Sequence, residues 1–121
     1  MKVIIAGSRN FEDYSLLKTT LDCMAEMYDD IEIISGGARG ARGADRLGEQ
    51  WARENSRKIH TFIPDWDGLG KSAGYRRNED MAKFGDAAVI FYNGKSLGSK
   101  HMIDIARRYK LKLKIVYFQD I

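Results

Sequence analysis

"ISGGARGARGADRLGEQWA", Ile34 to Ala52, joins an apolar run to a helical pattern through a connection that holds four glycines, with Arg39 and Arg42 inside it and Arg46 just beyond. The run before it, Ile31 to Ser35 (IEIIS), reads as a buried strand. After it, Ala44, Leu47, Gly48, Trp51 and Ala52 recur at spacings of three and four, which puts one apolar face on a helix. Strand, glycine-rich turn and helix together make half of a βαβ unit. Such units build parallel sheets, because a parallel return needs a crossover.

The same alternation extends in both directions. Upstream, Lys2 to Ala6 (KVIIA) predicts a strand ending at Gly7, and Tyr14 to Tyr28 predicts a helix with Leu17, Leu21, Met24 and Tyr28 on one stripe. Downstream, Lys58 to Ile63 reads as a strand, "PDWDGLGKSAG" as a long connection, and Arg76 to Phe84 as a helix with Arg77, Met81 and Phe84 on one side. Ala87 to Tyr92 (AAVIFY) is a continuous apolar strand and "NGKSLGS" a turn. His101 to Tyr109 is a helix with Met102, Ile105, Ala106 and Tyr109 inward, and Leu111 to Phe118 closes the chain as a strand. Right-handed crossovers then place helices on both faces of the sheet. The expected fold is α/β: one domain over residues 1–121, a doubly wound parallel sheet of about five strands in the order 3-2-1-4-5, with a switch point between the first and fourth strands.

Composition narrows the function classes. The 121 residues are 44% hydrophobic, enough for one core, and 20 basic against 17 acidic residues leave a net charge of +3. That mild, scattered excess is poor support for a nucleic-acid surface, which concentrates its basic groups. The single cysteine, Cys23, reads as a buried structural thiol and fits a reducing cytoplasm. The opening "MKVIIAGSRNF" is too short an apolar run for a secretory or membrane segment, so the expected protein is soluble and intracellular. His60 and His101 have no partner at metal-ligand spacing, and zinc is not expected.

Ligands of doubly wound sheets bind outside the carboxyl ends of the strands, near the switch point. Four connections meet that edge: "GSRNF", "SGGARGARGAD", "PDWDGLGKSAGYRRN" and "NGKSLGSK". Glycines let backbone N–H groups approach an anion, and the helix that follows adds its positive end. Arginine supplies forked contacts to phosphate or carboxylate. The bland alternatives stand beside these: plain turns for the glycines, solvated side chains for Arg39, Arg42 and Arg76, and a dipole-favoured acid at a helix start for Asp45. Trp66, between Asp65 and Asp67, is a platform for a base or a plug over the sheet end. Neither the Walker pattern nor G-x-G-x-x-G is present, so no dinucleotide cofactor is expected.

These four blocks, in this order, resemble the YspA-like branch of the SLOG superfamily, the Rossmann-like group that includes Smf/DprA and LOG proteins and occurs in bacteria and phages. The resemblance runs from Lys2 to about Tyr117. The family pattern falls on Gly7, Ser8 and Arg9; on Gly36, Gly37 and Asp45; on Trp66, Gly74, Arg77 and Asn78; and on Gly94, Ser96, Gly98 and Ser99. The family's "GGARGAD" is here "GGARGARGAD", so Arg39 and Arg42 compete for one family position. The resemblance implies binding of a nucleotide, a nucleotide-derived signal or nucleic acid, and a homodimer. LOG enzymes remove a base from a nucleoside monophosphate using an arginine and a glutamate. Arg77 and Met81 match the arginine-bearing helix, but Met102 stands at the glutamate position, and a thioether offers no negative charge or base. The leading expectation is therefore small-molecule nucleotide binding through the glycine and arginine loops. A nucleoside-phosphate N-glycosidase recruiting Asp45, Asp65 or Asp67, and a DprA-like single-strand binder, are the alternatives.

Overall fold

The computed structural model describes residues 1–37 and 43–119, with the side chains of all of these except Trp66, Leu69 and Lys71. Five strands, β1 (Lys2–Gly7), β2 (Glu32–Ser35), β3 (Ile59–Thr61), β4 (Ala87–Tyr92) and β5 (Lys112–Tyr117), form one sheet in the order β3-β2-β1-β4-β5. Every pairing is parallel, with Val3 opposite Ala87 and Ile33 in the centre. The fold is Rossmann-like α/β, with the expected order and its switch point between β1 and β4.

Two apolar layers hold the helices to the sheet, because alternate residues of a strand face opposite sides. On one face Val3, Ile5, Ile33, Val89 and Phe91 pack against α1 (Tyr14–Met27) and α2 (Ala44–Glu54), through Leu17, Leu21, Leu47 and Trp51. On the other, Ile4, Ile34, Ala88 and Ile90 meet the two later long helices through Met81, Met102, Ile105 and Ala106. Asp13 caps α1 by accepting from the N–H of Leu16 at 3.0 Å, which satisfies one orphan donor of its first turn.

Three expectations need correction. The connection after β3 is helical: α3 (Trp66–Leu69) and a 3-10 turn (Gly70–Ser72) lead directly into α4 (Ala73–Phe84), three residues earlier than the periodicity indicated. Asp65 starts this segment by accepting from the N–H of Gly68 at 2.9 Å, so a run read as loop glycines is a capped turn. In the same way α5 (Leu97–Arg108) begins inside "NGKSLGS" rather than at His101. Asn93 Oδ1 accepts from the N–H groups of Lys95 and Ser96, and the hydroxyl of Ser96 accepts from the N–H of Ser99 at 3.3 Å, which places Gly98 in the first helical turn. Finally, Cys23 is exposed. It lies off the stripe formed by Leu17, Thr20, Leu21 and Met24, and a stripe confined to one side of a helix leaves the opposite side to solvent. Among the described residues no helix is long and apolar enough to cross a membrane.

Candidate functional site

The parallel register brings the ends of β1, β2, β3 and β4 to a common edge, and each leads into a connection singled out above. Gly7 ends β1 opposite Phe91. The N–H of Ser8 then donates to the carbonyl of Phe91 at 3.2 Å, which ties the first connection across the switch point to β4. Gly43, the N-cap of α2, has φ +64°, and a Cβ there would lie 2.2 Å from the carbonyl oxygen of Ser8. Only glycine lets the start of α2 settle against the first connection. Arg39 and Arg42 lie outside the described residues, as does the side chain of Trp66.

Arg77 organises the middle of this edge. From the first half of α4 its Nη1 donates to the carbonyl of Gly36 at 2.7 Å and its Nε to Oδ1 of Asn78 at 3.0 Å. A Cβ on Gly36 would come within 2.6 Å of the guanidinium, so that a side chain there would displace the arginine lying over it. Gly37 is held by a different group: its N–H donates to the hydroxyl of Ser35 at 3.1 Å, and that hydroxyl donates to Glu49 at 2.7 Å. The family glycines of this loop are thus accounted for by close internal packing, before any ligand is invoked.

Charge is concentrated beside it. Asp45, half-buried in the first turn of α2, has its carboxyl pushed up to about 6 by burial, against the charges of Arg77 and Arg9 and with that of Glu49. Burial also lowers Arg77 from its usual value, while Asp45 supports its charge and Arg9 opposes it. Arg9 itself is exposed. Glu49 escaped the sequence reading, although its spacing of four from Asp45 puts both carboxylates on one helical face. Asp65, by contrast, is occupied as a cap, and Asp67 is exposed.

At the β4 end, Ser96 caps α5, while Gly94, with φ +84° and open space around it, serves the turn itself. Gly98 is exposed, with nothing within 4 Å of where a Cβ would stand. Ser8 and Ser99 are 3% and 4% exposed, and neither hydroxyl finds a hydrogen-bond partner among the described residues. Asn78 is buried and bridges Arg77 to His101, its Nδ2 lying 3.1 Å from His101 Nδ1. Met102 is 1% exposed within the core layer that holds Ile90 and Met81, so the position matched to the LOG glutamate is core. A separate groove of about 160 Å³, lined by Met1, Met24, Met27 and Tyr28 among others, lies at the opposite end of the strands, away from this chemistry. Among the described residues no group of three or more His, Cys, Asp or Glu side chains is placed to hold a metal ion.

A doubly wound parallel sheet with a charged, glycine-lined edge at its switch point defines a Rossmann-like α/β protein. The profile of the family described as "YspA, cpYpsA-related SLOG family" matches residues 1–68, and the chain belongs to that family. It is similar to the Gene 61 protein of Mycobacterium phage D29, at 30% identity over 98% of this chain and 97% of the phage protein.

Proposed function

We propose that the protein binds a nucleotide or nucleotide-derived small molecule at the carboxyl edge of β1, β2 and β4. The observation that carries this reading is a pair of buried hydroxyls with no hydrogen-bond partner among the described residues, Ser8 in the connection after β1 and Ser99 in the first turn of α5, the helix that follows β4. A buried polar group without a partner costs about 1–3 kcal/mol, and native proteins keep few of them. Ligand oxygens reaching this edge would satisfy both. In this reading Arg77, Arg9 and the helix starts at Asp45 and Ser96 receive anionic groups. Gly94 and Gly98 leave the backbone approachable, Arg39 and Arg42 add cations from the loop between, and Trp66 offers its ring to a base.

The test uses thermal melting against a panel of nucleotides, with native mass spectrometry of the purified protein to identify any ligand carried through purification. Ser8→Ala with Ser99→Ala should leave the free protein as stable or up to roughly 1 kcal/mol more stable, while removing most of the stabilisation by ligand. A ligand that stabilises wild type and double variant equally would place its contacts elsewhere.

One observation favours a second, hydrolytic reading. Asp45 has a carboxyl that titrates near neutrality beside an arginine and a second carboxylate, the condition that suits a general acid or base. Of the other two aspartates considered as substitutes for the missing glutamate, Asp65 is engaged by the N–H of Gly68 and Asp67 is exposed. Incubation with nucleoside monophosphates, with free base measured by chromatography, separates the readings. Binding alone gives background, whereas base release that disappears in Asp45→Asn supports hydrolysis.

A further inference from the structure

Arg77, Asn78 and His101 form a chain of hydrogen bonds whose polarity can be worked out from the groups themselves. Arg77 Nε is only a donor, so the atom of Asn78 facing it at 3.0 Å must be the amide oxygen. The amide nitrogen then faces His101 Nδ1 at 3.1 Å, and an NH2 group has no lone pair to offer. His101 Nδ1 must therefore be the acceptor, which leaves the ring proton on Nε2. Rotating the amide by half a turn would instead set an NH2 against the Nε–H of Arg77. In that orientation the Arg77 end would hold two donors face to face.

We propose that His101 is a positioning residue for Arg77: its neutral, Nε2-protonated ring fixes the amide of Asn78, and the amide fixes the guanidinium over Gly36. Protonating His101 turns Nδ1, the acceptor that faces the amide nitrogen, into a donor. The amide loses one of its two bonds in either orientation, and Arg77 is released from its aligned pose. Binding at the switch point would then be weaker on the acid side of the His101 titration, a consequence that rests on the nucleotide-site reading above.

The surroundings of the ring agree with a neutral form. Tyr75 of α4 packs edge-on against it, with centroids 4.4 Å apart. Burial disfavours the charged ring and Arg108 adds to that, while Asp104 on the same helix and Glu79 on α4 pull the other way. Glu79 is engaged by the hydroxyl of Tyr109 at 2.8 Å. The strands beneath α5 present Ile4, Ala88, Ile90, Leu113 and Ile115 to this layer, none of them titratable.

Nitrogen-15 NMR of the free protein tests this without any ligand, so that its failure and the failure of the nucleotide reading are distinguishable. At about pH 8, His101 Nδ1 should resonate far downfield, as an unprotonated ring nitrogen, and Nε2 upfield as the protonated one. Arg77 Nε–H should give a resolved, exchange-protected resonance that is lost over the same pH range in which His101 gains its second proton. In Asn78→Asp both side-chain oxygens accept, so the ring proton should move to Nδ1, His101 should titrate at higher pH, and the Arg77 resonance should survive acidification. His101→Phe keeps the packing but should lose the protection of Arg77 Nε–H at every pH. A proton on Nδ1 in the wild type, or an Arg77 resonance indifferent to the His101 titration and to His101→Phe, would overturn the proposal.

Discussion

Asp45 shows what burying a carboxyl costs a small domain. In the unfolded chain its carboxyl titrates near the ordinary value of 3.8, and in the folded protein at about 6. Between those values the native state holds the proton more tightly. Stability therefore falls as pH rises through that window and levels off above it. A gap of that size corresponds to roughly 3 kcal/mol, of which some is returned by the favourable place of an acid at a helix start. Asp45→Asn should be more stable than wild type by about 1–3 kcal/mol near pH 8 and nearly equal to it near pH 4, read from urea denaturation at each pH. A constant difference between the two proteins across that range would refute burial as the cause.

Among the elements, α2 and α5 use glycine for opposite reasons. Gly48 lies in the interior of α2 where a Cβ would stand 2.8 Å from Ile5 of β1, so the helix can approach the strand only without a side chain there. Gly98 in the first turn of α5 would meet nothing within 4 Å. Alanine is the better helix former by about 1 kcal/mol, so Gly98→Ala should stabilise by somewhat less than that. Gly48→Ala should destabilise by about 1–3 kcal/mol through overpacking. Equal midpoints in denaturant for the two variants would contradict this contrast. The strands, the sheet order and the inward faces of α1 and α2 were legible in the sequence because period and apolarity agree there. The helical turns over 66–72 and 97–100 were not, since their starts depend on Asp65, Asn93 and Ser96 accepting backbone N–H groups, while their glycines signal loop. The site was legible as a set of connections. Which residues touch was not, because the bond from Arg77 to Gly36 spans 41 positions of sequence and Glu49 is marked only by helical spacing.

Over the whole molecule, the net charge is +3, and several of the basic groups behind it are paired locally. Lys18 with Asp22, Arg53 with Glu49, Lys83 with Glu79 and Lys100 with Asp104 are each neutralised one helical turn away. Such exposed pairs add little stability, but they leave fewer cations to follow a phosphate backbone. Fluorescence anisotropy with a labelled single-stranded oligonucleotide should therefore give binding no tighter than about 10⁻⁴ M at physiological salt. Submicromolar affinity that weakens steeply with added salt would instead favour the DprA-like alternative. A small ligand held by a few arginines and buried hydroxyls should be far less sensitive to salt.

The burial of Met102 also bears on how this lineage can change. A carboxylate introduced at that position would enter the apolar layer between α5 and the sheet, where an unpaired charge costs several kcal/mol, a large part of the 5–15 kcal/mol that typically keeps a domain folded. Surrounding side chains would have to be replaced first, each with no catalytic gain of its own. The path to a LOG-like active site by that residue is thus closed to single substitutions, and selection acting on this edge is left to work through Asp45 and Glu49 of α2.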